Sequence, residues 1–339
     1  MENINKLNEI LQKINTDIKN LQKLDRDFTT YIPRYGKEIG LPYLKFDNNG
    51  ICSLQFDAKI NVLIVYNKEK NQCLFTSPIG PIPSERREEF LKKILISNAF
   101  GIENGGAILG IDEDSYQLVL SFIFVASTFS FELFKIVISN FVTMVENWQT
   151  KYENLIEFSE KIKFKNLKIR KNKFQFNYDF SKFIDEEFKE NEDFSEYIPK
   201  YGKEIGLPNL ELNENGVCSL NFDGQVNVDI IYSKENKQCI FASPIGNIRP
   251  DADEKYFEYL LISNAFGTET GGALIGIEAE ENRIVLSYCF ISNTFSFELF
   301  KTALGNFVNL SKEWINKHKE LFVKKFCPWT SELLKYISY

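Results

Sequence analysis

The chain contains an internal repeat, and this repeat restricts its possible folds more than any other feature. The segment YIPRYGKEIGLP at Tyr31–Pro42 returns as YIPKYGKEIGLP at Tyr197–Pro208. When 31–148 is aligned without a gap to 197–314, 63 of the 118 positions are identical. A period of this length is too long for a solenoid unit, so each copy is expected to be a whole domain with the same fold.

The repeat predicts five segments. They are an amphipathic N-terminal helix at 1–27, copy 1 at 28–155, a linker at 156–193, copy 2 at 194–321 and a C-terminal extension at 322–339. The N-terminal helix is predicted from apolar residues spaced three and four apart. The linker is first basic and then acidic, and its alternating aromatic residues at 174–180 indicate an extra strand.

Within each copy, hydrophobic periodicity predicts the order helix, three strands, helix, two strands, helix. In copy 1 the helices are expected at 31–39, 85–100 and 131–155, and the last two strands at 107–111 and 117–124. Consecutive strands joined by short polar turns form an antiparallel meander. The predicted fold class is therefore α+β, with helices packed against an antiparallel sheet in each of two tandem domains.

Composition and charge exclude several classes of function. The 40 basic and 47 acidic residues give a net charge of −7, which argues against a general binder of nucleic-acid backbones. The single histidine, His318, almost excludes a histidine-based triad or a multi-histidine metal site. Candidate catalytic carboxylates such as Asp57 and Asp223 follow strands and are more typical of turns. We therefore expect no enzyme, no metal and no cofactor.

The cellular location is predicted from what the sequence lacks. There is no apolar run long enough for a transmembrane helix and no secretory signal at the start, so a cytoplasmic protein is expected. The six cysteines form no CxxC pair, which favours structural thiols in a reducing compartment.

One difference between the copies indicates a binding surface. On the second strand, Leu63 of copy 1 aligns with Asp229 of copy 2, and a charge at this position indicates that the face is accessible to solvent. The apolar residues predicted to share this face are Leu63, Val65, Leu74, Ile231 and Ile240. Such a surface would bind an apolar partner. The alternative, that the linker or the N-terminal helix covers this face, stays open.

The order of motifs, found twice, resembles the Tir-chaperone (CesT-like) family of type III secretion chaperones. In copy 1 the residues that carry this resemblance are Leu41-Pro42, Asn49–Leu54, Asp57, Pro78–Gly80, Ser97–Gly101, Gly105–Ala107, Phe129–Phe134 and Trp148. The resemblance covers residues 28–150 and 194–316, which is most of the chain.

The resemblance implies an αβββαββα fold in each copy and a small acidic chaperone of the bacterial cytoplasm. Such a chaperone binds the N-terminal chaperone-binding segment of a secreted effector as an extended chain, and keeps it soluble and secretion-competent without catalysis. A secretion ATPase or sorting platform is implied as a further partner. On this interpretation, the accessible face around Leu63 would bind the effector.

The chain departs from the family pattern because family members are usually single domains that dimerise. Two fused copies are therefore expected to form an intramolecular pseudo-dimer through their middle helices. The residues predicted at this domain–domain interface are Ile94, Leu95, Leu260 and Leu261. A non-catalytic adaptor or immunity-like protein that binds a folded partner is the alternative function.

Overall fold

The computed structural model of the chain describes residues 27–161 and 193–326. The predicted N-terminal helix, the possible strand at 174–180 and the end of the C-terminal extension lie outside the described residues.

Copy 1 contains the predicted order of elements. They are α1 (Tyr31–Glu38), β1 (Ile51–Phe56), β2 (Ile60–Asn67), β3 (Gln72–Pro81), α2 (Arg87–Asn98), β4 (Ile108–Asp112), β5 (Gln117–Val125) and α3 (Phe131–Lys161). At the start of α3, the Ser130 hydroxyl accepts a hydrogen bond from the amide of Leu133 at 3.1 Å. Ser130 is therefore the N-terminal cap of this helix.

Copy 2 repeats the same elements. They are α4 (Tyr197–Glu204), β6 (Val217–Phe222), β7 (Val226–Ser233), β8 (Gln238–Asn247), α5 (Glu254–Asn264), β9 (Leu274–Glu278), β10 (Arg283–Ile291) and α6 (Phe297–Phe326). In both copies the five strands form one sheet, in the order β1-β2-β3-β5-β4 and β6-β7-β8-β10-β9. The recorded strand pairs are antiparallel. The first three strands of each sheet form the predicted meander, whereas the fifth strand of each copy lies between the third and the fourth.

The middle helix of copy 1 is shorter than the predicted 85–100. It starts after Arg86 and ends before Phe100, because both residues have left-handed backbone conformations, with φ of 48° and 59°. Left-handed backbone at a bulky residue is strained and requires support from tertiary contacts. Sequence patterns predict glycine at such positions, and Gly101 is the residue that they favour as the helix cap.

The described residues divide into two compact units, and the boundary lies within copy 1. The first unit contains the chain up to Ser77 together with Ile123–Asn147, and the second contains Pro78–Phe122 and the chain from Trp148 onward. The second unit therefore holds all of copy 2 and also α2 and β4 of copy 1.

Each unit has an aromatic core built at equivalent positions. In the first unit the ring of Phe75 is fully buried, and its centroid lies 5.3 Å from that of Phe124 and 5.8 Å from that of Phe141. In the second unit, Phe241 contacts Phe290 at 5.1 Å and Phe307 at 5.8 Å. Edge-on and tilted contacts at these distances are favourable, and the high phenylalanine content of the chain supplies them.

Candidate binding surfaces

Two middle helices, α2 of copy 1 and α5 of copy 2, contact each other within the second unit. Each helix also lies on an edge strand of the other copy, α2 on β9 and α5 on β4. A methyl group at Gly110 of β4 would lie 2.6 Å from Cα of Ala265, and one at Gly276 of β9 would lie 2.6 Å from Cα of Ala99. The backbones of the two copies therefore approach closely at two equivalent points, where only glycine fits.

The four residues predicted at the domain–domain interface lie on these helices. Ile94, Leu95, Leu260 and Leu261 are all buried, with at most 1% of each side chain exposed. The helices that carry them contact each other, whereas direct contact between these four side chains stays a prediction.

A polar cluster joins the two helices at one end of their contact. The Arg87 guanidinium of copy 1 donates a hydrogen bond to the Glu258 carboxylate of copy 2 at 2.6 Å. The Tyr116 hydroxyl of copy 1 donates to the same carboxylate, and the Arg87 guanidinium lies 5.0 Å from the Tyr116 ring centroid. One acidic side chain of copy 2 is thus held by two donors of copy 1.

The predicted apolar face is partly exposed in copy 1. Val65 of β2 and Leu74 of β3 are paired across the strands, and Leu63 lies two positions before Val65 on the same face. Leu63 is 37% exposed, and Val65 and Leu74 are half-buried. These three residues form one patch, here named the copy 1 face.

The equivalent face in copy 2 is covered. Ile231 is 7% exposed and Ile240 is fully buried, and together with Ala242 they form an apolar cluster. Phe100 and Ile102, both from copy 1, pack on this cluster. A partner could reach Ile231 and Ile240 only if Phe100 and Ile102 moved away.

A buried asparagine fixes the segment that carries Phe100. The Asn98 side chain accepts from the amide of Leu109 at 3.0 Å and donates to the carbonyl of the same residue at 2.8 Å. Asn264 makes the same pair of hydrogen bonds with Ile275 in copy 2. The asparagine of the SNAFG motif therefore ties the end of the middle helix to the neighbouring strand.

The loop after the first helix exposes apolar residues that were not predicted as a binding surface. Ile39 and Leu41 in copy 1 are 42% and 49% exposed, and their equivalents Ile205 and Leu207 in copy 2 are 41% and 48% exposed. Tyr43 adds a nearly fully exposed ring in copy 1. The signal that could have found them is the repeated IGLP sequence, which places two large apolar residues around a glycine.

These loops are ordered despite their exposed side chains. The amide of Leu41 donates to the carbonyl of Gly36 at 2.6 Å, and the amide of Leu207 donates to that of Gly202 at 2.7 Å. Gly40 completes the turn with a φ of 79°. Both copies therefore present a fixed apolar pair to solvent, here named the IGLP loops.

A cleft of about 590 Å³ opens beside the copy 1 face. It is lined by Val65 and the residues that follow it to Glu69, by the turn at 45–50, and by Thr29 and Pro33. β1 is an edge strand of its sheet. An exposed edge and an adjoining cleft are features that can receive an extended chain.

The described thiols are unsuited to nucleophilic chemistry. Burial raises the pKa of Cys52 to about 11 and that of Cys289 to about 12, and it raises the pKa of Cys73 and Cys239 well above the usual range. Because the thiolate is the reactive form, these cysteines stay inert near neutral pH. Within residues 27–161 and 193–326, no group of His, Cys, Asp and Glu is arranged to hold a metal ion.

Among the helices of the described part of the chain, none has the length and apolar character needed to cross a membrane.

Comparison with solved structures finds chains that match more than a third of this one. The chain is similar to a chain of the ExsC–ExsE complex, with 23% identity over 38% of this chain and 94% of that one and a TM-score of 0.33. It is also similar to a chain of the HopA1–SchA chaperone–effector complex, with 16% identity over 38% and 97% and a TM-score of 0.32. A Yersinia pestis type III secretion chaperone, SycH, matches with 19% identity over 36% and 99% and a TM-score of 0.30.

Sequence comparison gives the family. A Chlamydia pneumoniae protein is 32% identical over 121 residues, which are 35% of this chain and 91% of the relative. The family model of the Tir chaperone protein (CesT) family matches twice, at residues 31–149 and 197–315. These two matches coincide with the two copies of the repeat and cover more than half of the chain. The chain therefore belongs to the Tir chaperone protein (CesT) family and carries the family's domain twice.

Proposed function

We propose that the chain is a type III secretion chaperone that binds the N-terminal chaperone-binding segment of a secreted effector and keeps it soluble and secretion-competent. The observation that carries this proposal is the double match to the chaperone family, at 31–149 and 197–315. Both copies have the complete set of helices and strands that the family resemblance implied. Because neither copy has lost an element, we expect both domains to be functional.

The copy 1 face is the surface that best suits the effector. Leu63 is exposed and Val65 and Leu74 are half-buried, so an apolar side chain of a bound segment could pack on all three. The cleft beside Val65 extends this surface toward the edge of the sheet. In copy 2, by contrast, Phe100 and Ile102 occupy the place of a ligand over Ile231 and Ile240.

The IGLP loops supply further apolar contacts for an extended segment. Ordering a disordered chain costs conformational entropy, so several separate patches of apolar burial must offset it. Ile39 and Leu41 in copy 1 and their equivalents in copy 2 are such patches, because they are exposed and held in fixed turns. Binding at these sites needs no nucleotide and no reacting group.

The contact between α2 and α5 supports an intramolecular pseudo-dimer as the working form. Each helix packs on an edge strand of the other copy, and Gly110 and Gly276 permit equivalent close approaches on both sides. We propose that this contact replaces the subunit contact of the single-domain, dimeric family members. The chain would then work in the cytoplasm, with a secretion ATPase or sorting platform as a second partner.

The test is affinity capture from the source organism with the wild-type chain and with Leu63→Asp, which places the copy 2 residue in copy 1. Asp229→Leu is the matched control, because it makes the reverse change on the covered face. The proposal predicts capture of a secreted protein whose binding requires its N-terminal segment and is weakened by Leu63→Asp. Capture of a folded partner through its globular surface, unaffected by truncation of its N-terminus, would establish the adaptor function instead.

A further inference from the structure

The two helices that contact each other across the copies begin with opposite net charges. Residues 86–93, at the start of α2, read RREEFLKK and contain four basic and two acidic residues. The equivalent residues 252–259, at the start of α5, read ADEKYFEY and contain one basic and three acidic residues. The motifs on either side, SPIG and LISNAFG, are identical in the two copies. The copies thus differ in charge at the place where they contact each other.

The charged contact is partly shielded from water. Arg87 Nη2 lies 2.6 Å from Glu258 Oε1, and these side chains are only 16% and 20% exposed. Arg87 Nε also lies 3.3 Å from Oε1 of Glu254, whose side chain is 47% exposed. Because the Arg87–Glu258 pair is largely removed from solvent, salt screens it less than it screens a surface ion pair.

The gapless alignment of the copies identifies the positions equivalent to Arg87 and Glu258. In a two-fold interface, if position i contacts position j, then j also contacts i. The equivalents of Arg87 and Glu258 are Asp253 in copy 2 and Lys92 in copy 1. The Lys92 ammonium lies 5.9 Å from the ring centroid of Phe257 on α5, so Lys92 also reaches toward copy 2. At both of these pairs of positions, copy 1 has the basic residue and copy 2 the acidic one.

We propose that this charge asymmetry makes the contact selective, so that copy 1 binds copy 2 and pairing between like copies is disfavoured. Two copy 2 helices would place Glu258 opposite Asp253, with Glu254 close by. Two copy 1 helices would place Lys92 opposite Arg87. Lys92 would then take the place of Glu258, whose carboxylate now accepts hydrogen bonds from Arg87 and Tyr116. Opposed like charges exclude wrong partners more strongly than the favourable pairs add affinity. The partner that fits each helix is the other copy.

The first measurement is a charge-reversal cycle in the full chain, with Arg87→Asp, Glu258→Lys and the double variant. Each single change opposes like charges, so both single variants should have lower urea midpoints of unfolding than the wild type. The double variant restores opposite charges and should regain at least half of the combined loss. The matched control is Arg86→Asp, which makes the same charge change at the preceding position, where the arginine is paired with Glu89 of the same copy. Glu258→Lys should not rescue this control.

The second measurement tests selectivity directly. The Arg87→Asp and Glu258→Lys chains are unfolded in urea and refolded by dilution, separately and as a mixture, and the mass is read by light scattering. In a dimer that exchanges copies, copy 1 of each chain binds copy 2 of the other chain. One contact then pairs the introduced aspartate with the introduced lysine, and the other pairs the native Arg87 with the native Glu258. The mixture should therefore contain a species of twice the chain mass of 39.4 kDa that neither chain forms alone.

Two outcomes would overturn the proposal. One is a double variant no more stable than the weaker single variant, and the other is an equal mass distribution in all three refolded samples. If Glu258→Lys does not fold, the same cycle is measured with Arg87→Gln and Glu258→Gln. The loss of stability in the double variant should then be smaller than the sum of the two single losses. A loss equal to that sum would also overturn the proposal.

Discussion

The same sheet face has different neighbours in the two copies. In copy 1, Leu63 is exposed beside half-buried Val65 and Leu74, whereas in copy 2 the equivalent isoleucines lie beneath Phe100 and Ile102 of copy 1. A homodimer would have two identical faces. Fusion of two copies allows one face to stay partly exposed while the other is used for contact between the copies. Asp229, whose charge predicted an accessible face, lies in the copy whose isoleucines are covered.

A second comparison concerns the far end of the last helix. In copy 1, the Tyr152 hydroxyl donates to the carbonyl of Pro81 at 2.6 Å, and its ring meets that of Phe90 edge-on at 6.0 Å. In copy 2 the equivalent pair is His318 and Tyr256, whose rings also meet edge-on, at 6.3 Å. The edge-on contact is kept, while histidine replaces the tyrosine of copy 1 and tyrosine replaces its phenylalanine.

The largest effect is expected where the copies touch through backbone. Gly110→Ala and Gly276→Ala each place a methyl group against the backbone of the other copy, so each should lower the free energy of unfolding by about 3 kcal/mol. Urea denaturation measures both. Gly40→Ala is the control, since nothing lies within 4 Å of its added methyl group and only its left-handed φ opposes the change. A smaller loss for Gly110→Ala than for Gly40→Ala would contradict the close contact.

Removing the cover of the copy 2 face should have the next largest effect. Phe100→Ala deletes a half-buried ring that packs on Ile231 and Ile240. Loss of this packing should lower the free energy of unfolding by about 2 kcal/mol. Phe100→Gly removes the same ring but suits the φ of 59° at this position. The glycine variant should therefore be about 1 kcal/mol more stable than the alanine variant.

Urea denaturation of both Phe100 variants and of the wild type checks these values. Equal stability of all three proteins would show that Phe100 does not cover this face.

The repeat and its hydrophobic periodicity predicted the fold because both copies follow them without a gap. The ends of α2 could not be predicted, since Arg86 and Phe100 take left-handed conformations that tertiary contacts hold. The alternation around Leu63 and Asp229 predicted which residues share a face, but period-2 patterns contain no information on what covers it. Phe100 reaches that face from the other copy, far away in the sequence. The exposure of the IGLP loops was not predicted, because the motif Leu41-Pro42 contains no information on whether the Leu41 side chain is buried.

The stability of copy 2 should depend on pH through His318, whereas the equivalent pair of copy 1, Tyr152 and Phe90, should give no such dependence. Burial, with the nearby Arg249 charge, lowers the pKa of His318 below its usual value. The unfolded state therefore binds more protons, so the contribution of His318 to stability is present above about pH 6.5 and is lost as the pH falls toward the lower folded-state pKa.

The test of this pH dependence is the pair of changes His318→Tyr and Tyr256→Phe, which installs the residues of copy 1. Urea denaturation at pH 7.0 and 5.5 should show a smaller loss of stability on acidification for this variant than for the wild type. The same loss in both proteins would show that His318 does not titrate differently in the folded and unfolded chain.

The smallest effect on stability is expected from exchanging the residues that distinguish the two faces. Leu63→Asp and Asp229→Leu change side chains that are exposed or half-buried. Each should alter the free energy of unfolding by less than about 0.5 kcal/mol. The Asp229 carboxylate accepts a hydrogen bond from Ser219 at 2.5 Å, and this surface contact adds little. Thermal unfolding compares both variants with the wild type, and a large loss in either would mean that the residue belongs to a buried core.

The most direct test of the account is a calorimetric titration with a synthetic peptide that spans the N-terminal segment of the captured effector. The account predicts that Leu63→Asp weakens binding by about tenfold or more, the equivalent of about 1.4 kcal/mol, whereas Asp229→Leu leaves the affinity within about twofold of the wild type. Equal affinities for the wild type and Leu63→Asp, or a stronger effect of the change at Asp229, would contradict the assignment of the copy 1 face as the effector-binding surface.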